Sequence, residues 1–294
     1  MKNLIFIFLT IQKKSTKTIN HPMTLFHAFL LGIVQGLTEF IPVSSTAHLL
    51  IVSNLLGIPS DDKTFAFSVI VQLGTVFALL LFFWKDIWHI ITGFFLGIKQ
   101  RKPFETLNTR LGWLVIIATI PALVIGFFLK DVIQIMFKDA LSLAAFRLLV
   151  TAALLTLVEY FDRRDRTLES ATWQDALSVG FFQVLAIFPG ASRSGSTIAG
   201  GMIRGFDRPS AARFAFLMSA PILLAAGAYE SLQVINMSGT RDFLPYLITG
   251  FVTAAVVGWF AIKWLINYLN KHSLYVFAIY CGIVGVLLLL AQLF

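Results

Sequence analysis

The chain has 294 residues, of which 57% are hydrophobic and only 13% charged, with a mean hydropathy of +0.83. A soluble domain carries about 25% charged residues, so this composition excludes a fully solvated surface and places much of the chain against lipid. The net charge of +8 would suggest nucleic acid in a soluble protein, but here the basic residues fall between apolar runs, where they set membrane orientation, and no nucleic-acid partner is expected. The single cysteine, Cys281, excludes an internal disulfide, and the scattered histidines at 21, 27, 48, 89 and 272 form no Cys/His metal cluster.

The first dozen residues look like a signal peptide, but Lys13, Lys14 and Lys17 follow the apolar stretch and no small-residue cleavage site comes after it. Residues 1–22 are read as an extension, either dispensable or a short interfacial tail, and 23–294 as a single membrane domain. The next apolar stretch, 24–56, is interrupted at mid-length by GLTEFIPVSSTAH. Spans of about 20 apolar residues are predicted at roughly 65–84, 111–129 and 141–160, with a shorter interfacial helix at 86–98. A second interrupted stretch, 174–203, carries FPGASRSGST in its middle, and three more spans follow at 212–235, 244–266 and 274–294. Irregular backbone at membrane depth survives only when buried in protein or lining a wet cavity. Both interrupted stretches are therefore read as re-entrant helix hairpins, each entering and leaving on one side.

Basic residues test that layout. Lys85, Lys99, Arg101, Lys102, Arg110, Arg163, Arg164, Arg166, Arg204, Arg208, Arg213 and Lys271 fall on one side, and Lys63, Lys130, Lys138 and Arg241 on the other. The first side is expected to be cytoplasmic, so the first hairpin enters from outside and the second from inside. Each half is then one hairpin plus three spans, and three is odd, so the second half is inverted. The predicted fold is an all-α polytopic membrane protein with an inverted-topology repeat, repeat 1 about 23–160 and repeat 2 about 174–294. Sites in such folds lie near the midplane, between the repeats. Gly32-x-x-Gln35 before Pro42 and Gly180-x-x-Gln183 before Pro189 are a weak internal echo.

Between Thr24 and Leu56 the only formal charge is Glu39, and between Ala176 and Ile203 the only one is Arg193. Isolated charges in apolar hairpins are expensive without partners or a wet cavity. The inverted layout can bring the two together, as a structural ion pair or as part of a site. In the first loop, Gln35 and Glu39 share a helix face, Pro42 ends that helix, and a new helix near Ser44 or Ser45 offers free N–H groups to an anion. Ser45 and His48, three apart, would share its face. Hydroxyl, imidazole and carboxylate are the parts nucleophilic catalysis uses, although Pro-x-Ser-Ser is also a plain way to cap a helix. In the second loop, Pro189 to Thr197 reads as a phosphate cradle. Its glycines allow close backbone approach, its hydroxyls donate hydrogen bonds, and Arg193 can grip phosphate oxygens bidentately. No Gly-Lys-Ser/Thr closes it, so it is not a Walker loop. Elsewhere, Gln72 reads as a helix–helix hydrogen-bonding residue, with a supporting place behind the site as the alternative, the 29 phenylalanines as packing and lipid contact, Arg163, Arg164 and Arg166 as topology anchors, and Glu230 as a residue reaching water at a segment end.

At GLTEFIPVSSTAH and PGASRSGST the chain resembles the undecaprenyl-diphosphatase family of bacitracin-resistance membrane enzymes, over roughly Met23 to Phe294. The resemblance implies removal of the terminal phosphate of undecaprenyl diphosphate, which recycles the lipid carrier of cell-wall synthesis, with a divalent cation, Mg²⁺ or Ca²⁺. The family's first motif is occupied here by Gln35, Glu39, Ser44, Ser45 and His48, and its second by Ser192, Arg193, Ser194 and Thr197. Many members have glutamate at Gln35, so Glu39 is the main anionic candidate for the metal. Catalytic roles are expected for Glu39, Ser45, His48 and Arg193. Phosphate binding is expected from Ser44, Thr46, Ser192, Arg193, Ser194, Ser196 and Thr197. Ser45 is the preferred nucleophile, activated by His48 or Glu39; direct water attack with Glu39 as base, and a phosphohistidine at His48, remain alternatives. The polyprenyl tail would lie between spans. The expected setting is a bacterial inner membrane, with the active site opening to the external face, membrane lipids as neighbours and a homodimer among the options. The same architecture would also suit a lipid-phosphate flippase.

Overall fold

In a computed structural model, residues 23–59, 61–136, 140–161, 165–187, 191–235 and 240–292 are described. The extension 1–22, Arg163, Arg164, Pro189, Gly190 and the side chain of Glu230 lie outside the described residues. Helix α1 (Leu25–Thr38) starts at Thr24, whose hydroxyl accepts from the His27 N–H while the His27 ring accepts from the Thr24 N–H. A turn at 39–43 follows, as Pro42 demands, and α2 (Ser45–Leu55) completes the first hairpin. Next come α3 (Asp62–Phe82), α4 (Trp84–Lys99), α5 (Leu107–Met136) and α6 (Ala140–Phe161). The second hairpin is α7 (Trp173–Leu185) and α8 (Arg193–Ile203), followed by α9 (Arg208–Ile235), α10 (Thr240–Leu269) and α11 (Tyr275–Ala291).

Five of these helices are long and apolar enough to cross a membrane: α3, α5, α6, α9 and α10. The sixth expected span folds as α11, 17 residues, at the short end of the spanning range. The chain is thus an all-α polytopic membrane protein. Each half runs hairpin, then three apolar helices, the last of them the shorter α11, with the amphipathic α4 inserted in the first half.

The first helix of each hairpin lies along a long helix of the other half: α1 on α10 and α7 on α5. The echoed glycines explain the closeness. A Cβ on Gly32 would sit 2.9 Å from the Gly250 carbonyl oxygen, and one on Gly180 only 2.5 Å from that of Ala118. Only a residue without a side chain allows such backbone contact. Helix α6 packs against both α2 and α8, and so walls the space between the hairpins.

Charges close the mouth of the second hairpin. Asp175, at the start of α7, accepts from Arg166 (2.7 and 3.1 Å), from Arg204 at the end of α8 (2.7 Å) and from the Thr172 N–H and hydroxyl (2.9 and 2.8 Å). Arg166 therefore has a structural part beyond setting topology. Burial alone would raise the Asp175 carboxyl; the Arg166 and Arg204 guanidinium groups and Thr172 outweigh it and hold the group well below the usual carboxylate range. Glu159, at the end of α6, ties α9 and α11 together by accepting from Arg208 Nε and Nη2 (2.7 and 2.6 Å) and from the Leu274 N–H (2.6 Å).

Candidate active site between the two hairpins

The two lone hairpin charges meet. Arg193, the first residue of α8, pairs through Nη2 with Glu39 Oε1, and the carboxylate is almost fully buried. Glu39 Oε2 accepts two further bonds, from the Gln35 amide at 2.8 Å and from the Ser45 hydroxyl at 2.6 Å. The carboxylate can only accept, which fixes the Gln35 nitrogen toward it. Ser45, Glu39 and Arg193 are thus linked across a sequence separation of 154.

The turn between α1 and α2 is strained at one residue. Ser44 has φ +69°, a region non-glycine residues rarely enter, and such outliers gather at functional sites. Ser44 precedes α2, yet its hydroxyl makes no capping bond. Its carbonyl oxygen accepts from the His48 backbone N–H (3.2 Å) and lies 2.9 Å from His48 Nδ1. His48 Nε2 lies 2.7 Å from the Tyr280 hydroxyl of α11, and the two rings stack. A carbonyl is acceptor only, so Nδ1 carries the proton, and in the neutral ring Nε2 accepts from Tyr280. Both nitrogens are engaged away from Ser45. The helical spacing that puts Ser45 and His48 on one face does not produce a Ser–His contact; the serine's partner is Glu39.

In the second loop, Ser192 caps α8 by accepting from the Gly195 N–H (3.2 Å), and its own N–H donates to the Thr151 hydroxyl of α6 (3.0 Å). Ser194 bonds weakly to the Ile41 carbonyl of the first loop (3.4 Å), which ties the loops together. Arg193 Nη1 and Ser196 Oγ are buried with no hydrogen-bond partner among the described residues. Thr197 donates to the Arg193 carbonyl (2.8 Å).

These residues border a cavity of about 530 Å³. Glu39, Ser44, Ser45, Thr46, Ser192, Arg193 and Ser194 line it; His48, Ser196, Thr197 and Gln35 do not. Gln72 lines it too. Two polar residues not assigned to the site from the sequence, Arg147 of α6 and Gln183 of α7, the latter noted only for the internal echo, also face it. The first could have been found as a guanidinium inside an apolar span. The rest of the wall is apolar and comes largely from α5 and α9, just beyond Pro121 and Pro221, where Ala122, Gly126, Ala225 and Ala226 leave room. Leu123 and Tyr229 line the same cavity while being 52% and 68% exposed, so the apolar end is open to the surface beside α5 and α9.

Glu39 is the one carboxylate on the cavity among the described residues, and no group of three or more His, Cys, Asp or Glu gathers there. A hard cation held by one carboxylate together with phosphate oxygens is a usual mode for Mg²⁺, and the oxygen donors of Glu39, Ser44 and Ser45 fit that mode.

A family model described as bacitracin resistance protein BacA matches residues 28–287. An undecaprenyl-diphosphatase of Chlorobium phaeovibrioides is 42% identical over 276 residues, covering 91% of this chain and 97% of that relative. One of Myxococcus xanthus is 42% identical over 267 residues, covering 91% and 89%. One of Alkaliphilus metalliredigens is 41% identical over 281 residues, covering 92% and 100%.

Proposed function

The chain belongs to the bacitracin resistance protein BacA family, and we infer from that membership that it hydrolyses undecaprenyl diphosphate to undecaprenyl phosphate and inorganic phosphate. This recycles the lipid carrier of cell-wall synthesis and confers bacitracin resistance. The observation that carries the mechanism is the Ser45–Glu39–Arg193 chain on a cavity that is polar at one end and apolar at the other.

The polyprenyl tail lies in the opening beside α5 and α9, held by apolar burial. The diphosphate reaches the serine loops. Ser45 Oγ attacks the terminal phosphorus and its proton passes to Glu39 Oε2, the acceptor it already touches. The bond from that phosphorus to the bridging oxygen breaks, and undecaprenyl phosphate departs. Glu39 hands the proton to the departing phosphate, takes another from the water that attacks the phosphoserine, and returns it to Ser45 Oγ as the phosphorus–Oγ bond breaks and inorganic phosphate leaves. Arg193, with the Ser44, Ser192 and Ser194 hydroxyls, stabilises charge on the transferred phosphoryl, where positioning and electrostatics are most of the catalysis. Glu39 and the phosphate oxygens would hold a divalent cation, Mg²⁺ or Ca²⁺, whose chemistry is neutralisation of the diphosphate. His48 positions the Ser44 turn rather than taking the proton.

The setting is a bacterial inner membrane. Residues 122–126 and 222–229 lie in the second halves of α5 and α9, which by charge counting both start inside, so the cavity opens to the external half. The two halves are related by inversion across the membrane. A cysteine at Ser53 should be labelled by external reagents; Cys281 is fully buried and gives no competing thiol. Labelling only from the cytoplasmic side would reverse the orientation.

Phosphate release from a polyprenyl diphosphate by the purified protein in detergent tests the activity. A flippase would bind the lipid and release none. Retained turnover in Ser45→Ala would sink the serine nucleophile in favour of direct water attack.

A further inference from the structure

We propose that Arg147 and Gln183 form a second phosphate subsite, so that the cavity grips both phosphates of the substrate rather than the transferred one alone. The proposal rests on the diphosphatase reading and adds to it a basis for preferring two linked phosphates over one.

Gln183 carries the first observation. It is 2% exposed and lines the cavity, and neither its amide nitrogen nor its amide oxygen has a hydrogen-bond partner among the described residues. A buried amide with both ends unmet is costly, and one facing a cavity is placed to meet a ligand. Arg147 carries the second. It is buried in α6 and opens on the same cavity. One turn along, the Thr151 hydroxyl donates to the Arg147 carbonyl (2.7 Å) and accepts the Ser192 N–H (3.0 Å). The backbone that presents Arg147 is thereby bolted to the loop that presents Arg193.

Charge gives the third. The described lining holds one carboxylate, Glu39, and two guanidinium groups, Arg147 and Arg193. Glu39 and Arg193 offset one another. A lipid diphosphate brings at least two negative charges, and Arg147 places a second guanidinium on the cavity it enters. A guanidinium fork matches phosphate oxygens bidentately, and the Gln183 NH₂ adds a neutral donor. Once the anhydride is cleaved, no single product spans both subsites, so each is held more weakly than the substrate was.

The test uses the full chain in detergent, titrated calorimetrically with inorganic pyrophosphate and with inorganic phosphate. Wild type should bind pyrophosphate about tenfold or more tighter than phosphate, the scale of one charge-assisted contact. Arg147→Met should cut that preference to about threefold or less while phosphate affinity barely moves. Gln183→Leu should reduce it partly, and Arg147→Lys should restore part of it, keeping the charge without the fork. Unchanged preference in both Arg147→Met and Gln183→Leu overturns the subsite. So does an equal loss for both anions at unchanged melting temperature. Should Arg147→Met fail to fold, Arg147→Lys and Gln183→Leu decide by the same criteria. Hydrolysis of a polyprenyl diphosphate is run in parallel, where KM should rise about tenfold with kcat within about threefold. No release by wild type would refute the diphosphatase reading, while the pyrophosphate titration would still read the subsite.

Discussion

Replacing His48 separates a positioning histidine from a catalytic base. Its ring is held at Nδ1 by the Ser44 carbonyl (2.9 Å) and at Nε2 by the Tyr280 hydroxyl (2.7 Å), and neither nitrogen faces Ser45. His48→Ala deletes both bonds, each worth about 0.5–1.5 kcal/mol net. Those bonds restrain Ser44 at φ +69°, a conformation that costs about 1–3 kcal/mol and persists only where its surroundings impose it. If the full 1–3 kcal/mol is felt in the placement of Ser45, turnover falls roughly 5- to 150-fold. Tyr280→Phe should cost somewhat less, and His48→Ala with Tyr280→Phe no more than His48→Ala alone, because the two act in one chain. Phosphate release should be followed across pH at saturating substrate. His48→Ala should keep the shape of the wild-type profile, acid limb included, since neither ring nitrogen contacts Ser45. A variant as dead as Ser45→Ala with normal thermal stability, or one that loses its acid limb, would return the base role to His48.

Four further outcomes follow from the same contacts. Glu39→Ala leaves the Arg193 guanidinium, half-buried on the cavity, without its carboxylate and should lose about 1.5–3 kcal/mol, the value of hydrogen bonds to charged groups; adding Arg193→Ala should recover part of it, read by thermal unfolding in detergent. Asp175→Asn should destabilise by about 1.5–3 kcal/mol at neutral pH, the value of hydrogen bonds to charged groups. Its folded-state carboxyl is depressed, so the contribution is complete above the unfolded value near 3.9, declines progressively below it and is lost only as pH falls through the depressed folded-state value, so the melting curves of variant and wild type should approach one another in acid. Gly180→Ala forces a Cβ to within 2.5 Å of the Ala118 oxygen and should cost about 1–3 kcal/mol. Gln35→Glu replaces a donor by a second carboxylate beside Glu39, so phosphate release should become more sensitive to chelation of divalent cations than in wild type.

The fold was readable because lipid imposes simple rules. Apolar length gave the spans, and prolines with clustered hydroxyls gave the hairpins, because irregular backbone inside a membrane must line something. The Glu39–Arg193 meeting was legible as two isolated charges with no local partner. What stayed hidden depended on tertiary direction. Helical spacing places Ser45 and His48 on one face, yet only the position of Tyr280, 232 residues away, decides that the imidazole turns from the serine. Ser196 and Thr197 belong to the motif but point into protein, because α8 presents its first turn to the cavity and buries the next. Arg147 was visible in its apolar span; the placement of α6 between the hairpins, which gives it meaning, was not.

The way Arg193 divides its two terminal nitrogens explains how one guanidinium can serve both carboxylate and substrate. Nη2 holds Glu39, while Nη1 is buried without a partner among the described residues. An arriving phosphate can therefore take Nη1 without dislodging Glu39, and a planar fork keeps the two acceptors in fixed relation. Glu39 stays oriented on Ser45 by Arg193 from one side and by Gln35 from the other. A glutamate at 35 would add a second negative charge where one guanidinium already answers one carboxylate, and a cation would then have to make up the difference. With glutamine, a neutral donor orients Glu39 instead, so before substrate arrives the Glu39–Arg193 pair is balanced within the protein, and the charge still to be neutralised is the diphosphate's own.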